Sequence, residues 1–350
     1  MRGVHSGDMW LRQLSVFLFL AVGVWAGLRM VRTALSSTCV SRTVYVAQKG
    51  RDQEGYGSSK KPYQTIGYAL ARATPGTTIV VKSGVYPEHL VTTQNGAPGC
   101  SITLTGSAKL TGGAESGRIF ELMHDYYVIR GLEFTGKDVL LWMQEADYNT
   151  IEKNFFHHAQ GECVRAKYHS SHNTFVSNRV ENCGIADFVQ GGGGKNGEGI
   201  YLGTAPEQLN KNPTPETDQT SFNVVRSNTF VTNGNECVDI KEGSASNAVE
   251  YNDCTGQRDP ESGGFDSRGN DNVFRYNKSY GNGGAGIRLG GDAGTDGIRN
   301  AVYGNTLGDN GGYALKVMRL PQGLICGNAA SGNALGFTNE PSVTNPPCAF

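Results

Sequence analysis

The chain has 350 residues, of which 38% are hydrophobic and 18% are charged, with 49 glycines and a formal net charge of -1 at pH 7. Such a nearly neutral balance gives no basic surface for nucleic acid or for acidic lipid. The many glycines and few charged residues favour short strands and turns over long helices.

The first 36 residues have the pattern of a secretory signal. Arg2 and Arg12 precede an apolar stretch at 14–28, and the small-residue segment Ala34-Leu-Ser36 follows it. We therefore expect a secreted, extracellular protein. The apolar stretch is at the short end for crossing a bilayer. An uncleaved signal anchor at 1–36 is the alternative, and only that alternative brings the protein to a membrane.

The next segment, 45–86, reads as a strand, a loop, a short amphipathic helix and a first full coil. Within 62–73, the side chains of Ile66, Leu70 and Ala73 fall on one helical face. A helix at the N-terminal end of a stack of strands would cover its core and its free edge. This opening resembles that of the pectate-lyase-like β-helix superfamily, in which such a helix closes the first coil.

From residue 149 onward a short phrase with asparagine at both ends returns six times. Successive phrases lie one or two repeats of roughly 20–30 residues apart, a period typical of solenoids. Apolar and polar residues alternate within each phrase, which predicts a strand and excludes an amphipathic helix. The phrases are Asn149-Thr-Ile-Glu-Lys-Asn154, Asn173-Thr-Phe-Val-Ser-Asn178, Asn223-Val-Val-Arg-Ser-Asn228, Asn247-Ala-Val-Glu-Tyr-Asn252, Asn272-Val-Phe-Arg-Tyr-Asn277 and Asn300-Ala-Val-Tyr-Gly-Asn305.

These repeats predict an all-β fold, a single right-handed parallel β-helix over 42–338 with an N-terminal capping helix and a C-terminal tail at 339–350. Stacked coils complete each other's backbone ladder, and crossovers between parallel strands are right-handed. Asparagine tolerates the left-handed conformation at bends, and its amide can bond to the amide one coil away. Simple turn propensity is the alternative reason for its recurrence. We expect a monomer.

The eight cysteines are an even number, which favours disulfide bonds over a metal cluster in a secreted protein. Spacing below one repeat suggests that two pairs join neighbouring strands, while a third pair fastens the tail. The pairs are Cys163 with Cys183, Cys237 with Cys254, and Cys326 with Cys348. Cys39 and Cys100 are left over.

Three glutamates, Glu162, Glu198 and Glu236, occupy the same place in three coils and should form a column on one outer face. Carboxylates aligned at strand spacing repel each other unless a cation satisfies them. Calcium suits carboxylate ligands together with an amide such as Asn196. The alternative is that insertions separate the three glutamates and water solvates them.

Lys241 stands five residues after Glu236, and Arg268 stands one coil later, so the two cations should lie side by side. The segment Asn235-Glu-Cys-Val-Asp-Ile-Lys-Glu-Gly-Ser244, followed by Gly264-Phe-Asp-Ser-Arg-Gly-Asn270, resembles the catalytic segment of the chondroitinase B and alginate lyase family. Gly197-Glu-Gly-Ile-Tyr-Leu-Gly203 is similar to that family's preceding glycine-rich strand.

The resemblance implies a calcium-assisted polysaccharide lyase that acts on an acidic, uronic-acid-containing polysaccharide by β-elimination. Lys241 would be the base, its pKa lowered by neighbouring cations and partial burial. Arg268 would bind the carboxylate or stabilise the developing negative charge. Tyr201 and Arg288 are candidates for lining the sugar-binding groove.

The metal ligands implied are Asn196, Glu198, Glu236 and Asp239. The sequence departs from the family at Gly234, where the family has a second acidic ligand, and Asp239 or Asp266 is the candidate replacement. The family's second, C-terminal domain has no counterpart here, so the resemblance does not identify the polymer.

Two other functions remain open. A hydrolase of the polygalacturonase type needs paired aspartates on adjacent coils, and the chain contains no Asp-Asp dipeptide. A β-helix that binds polysaccharide without cleaving it would be favoured if Lys241 and Arg268 pointed to different faces. It would also be favoured if Lys241 were held in a salt bridge with Glu242 or Asp239.

Overall fold

The computed structural model describes residues 39–349, so the predicted signal segment at 1–36 lies outside the described residues. Val40 and the residues after it form one compact unit. In the described part of the chain, parallel strands build sheets of nineteen and nine strands, stacked into about ten turns. The predicted all-β, right-handed parallel β-helix is confirmed.

Each regular coil adds one strand to each of three rows, and the first two rows together make the larger sheet. The long strands β1 (Arg42–Val46), β2 (Thr77–Tyr86) and β4 (Ile102–Leu110) begin this sheet. The first row continues as β6 (Tyr127–Arg130), β9 (Thr150–Glu152), β12 (Thr174–Val176), β15 (Val224–Arg226), β18 (Ala248–Glu250), β21 (Val273–Arg275), β24 (Ala301–Tyr303) and β27 (Ile325–Cys326).

The second row follows directly after the first in every coil. It contains β7 (Glu133–Thr135), β10 (Phe155–His157), β13 (Arg179–Glu181), β16 (Thr229–Val231), β19 (Asp253–Thr255), β22 (Lys278–Tyr280), β25 (Thr306–Gly308) and β28 (Ala329–Ser331). The third row is the nine-stranded sheet and carries most of the candidate site. It contains β3 (Leu90–Val91), β5 (Arg118–Leu122), β8 (Val139–Gln144), β11 (Val164–Lys167), β14 (Ile200–Leu202), β17 (Val238–Ile240), β20 (Gly263–Ser267), β23 (Ala285–Leu289) and β26 (Leu315–Val317).

The short helix α1 (Ile66–Leu70) lies against β1, β2 and β3. The side chain of Thr65 caps its first turn by accepting a hydrogen bond from the Tyr68 amide, and Glu88 accepts two more from the amides of Ile66 and Gly67. Ile66 and Leu70 are fully buried. The predicted helix is therefore present, shorter than the segment 62–73 and with the expected face inward.

The core consists of apolar side chains stacked coil upon coil along the axis. Apart from one irregularity between Val81 and Gly84 of β2, equal positions of neighbouring strands pair directly. Phe134, for example, pairs with Phe156, and their rings lie 4.7 Å apart. The inward column of the third row is Leu141, Val164, Ile200, Val238, Phe265, Ile287 and Leu315. This regular inward packing fixes which side chains face outward in every coil.

The predicted asparagine ladder is present, and it is buried. The side-chain amide of Asn228 donates to Oδ1 of Asn252 at 3.0 Å, and that of Asn252 donates to Oδ1 of Asn277 at 3.0 Å. The reason predicted for asparagine needs correction, because the left-handed residue is the one before it. Ser227 and Tyr251, for example, have φ values of 54° and 56°. Asparagine is needed for its amide, which replaces backbone partners at each bend.

We expect Asn252→Ala to destabilise the protein by at least roughly 2 kcal/mol, because each buried polar group left unpaired costs about 1–3 kcal/mol. The substitution removes the acceptor of the Asn228 backbone amide and the donor to Val225 O. Asn210→Ala, at an exposed position, is the matched control. Urea unfolding of the three proteins measures the difference, and equal midpoints would contradict a structural role for the ladder.

The three predicted disulfide bonds are present: Cys163–Cys183, Cys237–Cys254 and Cys326–Cys348. Neither Cys39 nor Cys100 is a free thiol. Cys326–Cys348 ties the segment after β28 to the last coil. The boundaries predicted for the β-helix and the tail stay predictions, with β1 beginning at Arg42 and β28 ending at Ser331.

Two insertions interrupt the coils beside the third row. The first contains a single π-helical turn, Ile185–Val189, and the second contains the 3-10 segment Pro206–Lys211. Both contribute side chains to the cavities described below. Among the described residues, none of the helices has the length and apolar character needed to cross a membrane.

Candidate active site

The outer face of the third row brings the candidate residues into columns. Tyr201 pairs with Asp239, which pairs with Asp266, and Arg288 follows on the next strand. These four positions therefore stand side by side, with neighbouring strands about 4.8 Å apart.

Lys241 and Arg268 lie next to each other, as predicted. Ile240 pairs with Ser267, and the Arg268 amide donates to Ile240 O at 2.8 Å, so the following residues stand on adjacent strands. The place equivalent to Lys241 on the preceding coil is Gly203, which has φ +98° and no room for a Cβ, since it would meet Ser244 Oγ at 2.4 Å. A larger residue than glycine at 203 would therefore crowd Ser244 and also Lys241, whose Cβ lies 3.3 Å from the same point.

Three of the four predicted metal ligands form a buried cluster. One carboxylate oxygen each from Glu198, Glu236 and Asp239 can be chosen so that all lie within 4.8 Å of one another. Burial raises the pKa of Glu198 to about 7, with repulsion from Glu162 next in importance. Burial also raises the pKa of Glu236 well above its usual value, followed by repulsion from Asp239.

The oxygens of this cluster fit a hard cation. Glu236 Oε2 and Asp239 Oδ1 are buried and accept no hydrogen bond, while Asp239 Oδ2 is paired with Lys241 Nζ at 2.6 Å. The buried Asn235 Oδ1 also has no hydrogen-bond partner. Buried carboxylate oxygens without donors are costly unless a cation compensates them. An all-oxygen set of this kind suits calcium, so the predicted calcium site stays a prediction that the chemistry of these residues supports.

The fourth predicted ligand, Asn196, and the third glutamate of the predicted column, Glu162, have different surroundings. Asn196 is exposed, and its backbone and side-chain amides donate to Asp187 Oδ2 at 2.9 and 3.0 Å. Glu162 forms an ion pair with Arg165 at 2.9 Å. The predicted column of three glutamates thus contributes two carboxylates to the cluster.

Lys241 carries a proton firmly in the metal-free protein, contrary to the prediction of a lowered pKa. Burial is the largest single influence and lowers the pKa of Lys241, but Asp239, Tyr201 and Glu198 together raise this pKa well above its usual value. Lys241 Nζ lies 2.6 Å from Asp239 Oδ2 and 4.7 Å from the centre of the Tyr201 ring. A salt bridge between Lys241 and Asp239 is the contact expected of a β-helix that binds polysaccharide without cleaving it.

The two arginines of the site, Arg268 and Arg288, are each paired with carboxylates. Arg268 Nη1 lies 3.3 Å from Asp292 Oδ1 and 3.6 Å from Glu242 Oε1. Arg288 Nη1 donates to both oxygens of Asp266 at 3.0 and 2.8 Å. Burial lowers the pKa of Arg268, but the nearby carboxylates, Asp239 foremost, raise it overall. Both groups stay cationic at any working pH.

One cavity of about 410 Å³ joins these groups. Its lining includes seven of the eight residues predicted for catalysis, substrate binding and metal binding, and the eighth, Asp239, is buried next to Lys241. The seven are Asn196, Glu198, Tyr201, Glu236, Lys241, Arg268 and Arg288. Only 9% of the Lys241 side chain and 26% of the Arg268 side chain are exposed. A ligand in the cavity would therefore meet partly desolvated charges.

Two contributors to the site were missed at the sequence level. Asn235 lines the cavity with its unpartnered oxygen, and Ser262 donates a hydrogen bond to Glu236 Oε1. Asn235 directly precedes Glu236 in the motif, so its place in the sequence could have identified it as a candidate site residue. Ser262 ends an irregular loop whose length no repeat specifies.

Stability of the metal-free protein should fall as the pH rises from 4.5 to about 7, the usual and shifted pKa values of Glu198. A raised pKa means that the folded protein binds the proton more tightly than the unfolded chain. The stabilisation is complete below the unfolded pKa and is lost as the pH passes through the folded pKa. We expect a loss on the order of a few kcal/mol.

Thermal unfolding in a chelator across this pH range measures the effect, and added calcium should restore the loss near pH 7. A melting temperature that rises with pH in the chelator would contradict the buried cluster. The same scan of Glu261→Gln, an exposed carboxylate at the cavity rim, is the control.

Comparison with known structures places the fold among polysaccharide lyase-like right-handed β-helices. Alginate lyase from Paenibacillus sp. str. FPU-7 superposes with a TM-score of 0.65 at 22% identity, covering 81% of this chain and 95% of that one. Pectate lyase Pel9A superposes with a TM-score of 0.64 at 16% identity, covering 88% of this chain and 82% of that one. At such identities the likeness shows the fold alone.

Sequence comparison adds little. No known family profile matches the chain. The uncharacterized protein YwoF of Bacillus subtilis (strain 168) is 37% identical over 60 residues, which are 17% of this chain and 13% of that protein. Some of the other β-helix neighbours are glycosidases or structural proteins, so the fold does not define a reaction.

Proposed function

We propose that this protein is a polysaccharide lyase that cleaves uronic-acid-containing polysaccharide by β-elimination. The observation that carries the proposal is the single cavity that joins Lys241, Arg268 and the carboxylates Glu198 and Glu236. Elimination requires a base, a cationic partner for the carboxylate, and neutralisation of charge as the carbon acid ionises. The cavity offers a residue for each task.

In the proposed reaction, Lys241 accepts the proton from the carbon next to the uronate carboxylate. The bond to the 4-linked oxygen then breaks and a carbon–carbon double bond forms. The leaving oxygen takes up a proton from water, and Lys241 later returns its own proton to the solvent. Arg268, always charged and one strand away, stabilises the negative charge that develops on the carboxylate. Tyr201 and Arg288 line the groove beside them.

Glu198, Glu236 and Asp239 would hold a calcium ion, with Asn235 Oδ1 as an amide ligand in reach of the same cavity. Bound there, calcium would help to neutralise the uronate carboxylate and so acidify the neighbouring C–H group. With Asp239 engaged as a ligand, Lys241 would lose the counter-ion that raises its pKa and would keep Arg268 as a cationic neighbour. A neutral amine then becomes accessible near neutral pH.

The disulfide bonds fit an oxidising compartment. We therefore include secretion and action on an extracellular acidic polysaccharide, as a monomer, in the proposal. An uncleaved segment at 1–36 would instead hold the same domain at a membrane.

A second candidate function is binding without cleavage, and the Lys241–Asp239 salt bridge favours it. A hydrolase has a weaker basis, although the structure does pair Asp239 with Asp266 on adjacent coils, which the missing Asp-Asp dipeptide did not suggest. Both aspartates are fully buried, and Asp266 is engaged by Arg288. Neither carboxyl group can reach a glycosidic bond as it stands.

The test is to incubate the purified protein with alginate, pectate and chondroitin or dermatan chains, with calcium and with a chelator. Ultraviolet absorbance of the unsaturated product reports elimination. We expect absorbance to rise with at least one polyuronate and to depend on calcium. No rise with any of them, together with tight binding of one, would establish the non-catalytic alternative.

A further inference from the structure

A second cavity, of about 490 Å³, opens on the outer face of the third row next to the candidate active site. We call it the Trp142 cavity, after the indole in its wall. Asn196 and Gln208 line both cavities, so the two are adjacent. Its lining does not include Lys241 or Arg268, the two residues assigned to catalysis. Its basic lining residues are Arg118, Arg165, Lys167 and Lys211.

Lys167 is the most unusual of these residues. Its side chain is buried at 2% exposure, and no ion pair with it is present among the described residues. Burial lowers its pKa to about 8, and the charges of Arg165, Arg118 and Lys211 act in the same direction while Asp218 opposes them. Asp218 is occupied by hydrogen bonds from the amides of Tyr168 and His169 and from two threonines. The ammonium group therefore lacks the counter-ion that buried lysines need.

The Trp142 ring makes cation–π contacts with Arg118 and Lys167. The Arg118 guanidinium lies 3.5 Å from the centre of the indole ring, and Lys167 Nζ lies 4.9 Å from it, both within the range of cation–π contacts. Arg165 is fixed by an ion pair with Glu162 and a hydrogen bond to Gln208. The aromatic ring thus orders positive groups that would otherwise repel each other.

Acidic groups around the cavity are mostly engaged elsewhere. Glu162 is paired with Arg165, and Asp187 accepts two hydrogen bonds from Asn196. Asp138 remains at the edge as the third acidic residue of the lining. Arg118 Nη1 pairs with Glu121 at 2.8 Å, which lies outside the lining, and its remaining N–H groups can still donate. Among the described residues, Lys167 and Lys211 form no ion pair, so an anion in the groove would meet the uncompensated charge of Lys167 beside the Arg118 guanidinium.

The strand register places Lys167 in line with Lys241, the proposed base. Ala166 pairs with Leu202, and Leu202 pairs with Ile240, so Lys167 occupies the same column as Lys241 two strands away. At strand spacing this is about 10 Å along the groove. A chain molecule bound at Lys241 and extending toward the N-terminal coils must pass over Lys167.

We propose that the Trp142 cavity binds the carboxylate of a uronate residue upstream or downstream of the cleaved bond, with Lys167 and Arg118 as its partners. The identity of this ligand rests on the proposed function, because only a polyuronate carries further carboxylates along the groove. The cavity makes the protein selective for oligosaccharides long enough to span both sites. Charge-assisted hydrogen bonds to a partly buried carboxylate are among the stronger polar contacts.

The experiment measures binding without turnover. Calorimetric titration of Lys241→Arg protein with uronate oligosaccharides of increasing length gives the affinity, and Lys167→Met and Arg118→Gln are added singly. We expect each to weaken binding of the longer oligosaccharides by on the order of 10-fold, the effect of one charged contact, and to leave the shortest unchanged. Lys153→Met, an exposed lysine between β9 and β10, is the control.

A pH series separates a charge contact from a structural effect. Affinity should fall as the pH rises through about 8, the pKa of Lys167, and Lys167→Arg should retain affinity beyond that point. Length-independent affinity, or the same pH dependence in Lys167→Arg, would overturn the inference. Binding that depends on Lys167 without cleavage by the unmodified protein would refute the proposed function and leave this site standing. Cleavage with no effect of Lys167 or Arg118 would do the reverse.

Discussion

Lys241→Arg should reduce kcat on the preferred polyuronate by about 10²–10⁴-fold, the usual contribution of a positioned base. Arginine keeps a positive charge beside Asp239, so the buried carboxylate retains a counter-ion and the fold is preserved. It cannot lose its proton at working pH. Initial rates from ultraviolet absorbance, with the melting temperature measured in parallel, test this expectation.

Arginine is preferred to methionine at this position for a physical reason. Lys241→Met would leave Asp239 buried without a partner, which costs about 3–5 kcal/mol and would confuse loss of activity with loss of structure. Lys278→Arg, an exposed lysine of β22 paired with Asp253, is the matched control. Full activity in Lys241→Arg would remove Lys241 from the role of base.

Glu236→Gln should have opposite effects on the metal-free and the calcium-bound protein. The substitution removes a carboxylate whose pKa is raised by burial first and then by repulsion from Asp239 and Glu198. Near pH 7 and in a chelator, the variant should therefore be more stable than the unmodified protein. Calcium affinity should fall by at least 10-fold, on the order of what the loss of a supporting group already costs a metal site, and activity should fall with it.

Calorimetric titration with calcium and thermal unfolding in a chelator measure the two effects separately. Glu261→Gln changes the same residue type at the exposed rim of the same cavity and should change neither. Unaltered calcium affinity in Glu236→Gln would place any calcium elsewhere. A loss of stability in the chelator would show that Glu236 is already compensated by protein groups such as Ser262.

The repeat made much of this arrangement predictable. The asparagine phrases specify one bend per coil, and a constant bend brings equal positions of successive coils into register. Glu198, Glu236, Lys241 and Arg268 could be placed on one face from that register alone. The bonding of the asparagine amides followed from the same pattern, although the left-handed conformation belongs to the residue before each amide.

What the sequence did not predict depends on features outside the repeat. Asn196 and Gln208 stand in or beside insertions whose paths are set by local contacts, such as that of Asn196 with Asp187. Trp142 lies in the apolar run Val139–Met143, which reads as a wholly buried strand. Only the observed register shows that its ring shares an outer column with Arg165 and Tyr201.

The prediction that the pKa of Lys241 is lowered was wrong for a different reason. Its neighbours in sequence include Asp239 and Glu242, and residue types alone do not say which one its ammonium meets. The strand places Asp239 on the same outer face two residues earlier, and burial strengthens the pair. The same carboxylate belongs to the predicted calcium cluster, so the base and the cation are coupled through Asp239.

The most direct test of β-elimination at this site is the mass of the products formed in water labelled with heavy oxygen. An elimination adds no water, so the two products together should equal the substrate in mass, contain no label and include one unsaturated sugar. Products that are together one labelled water heavier than the substrate would show hydrolysis. That result would contradict the assignment of Lys241 and Arg268 to a lyase.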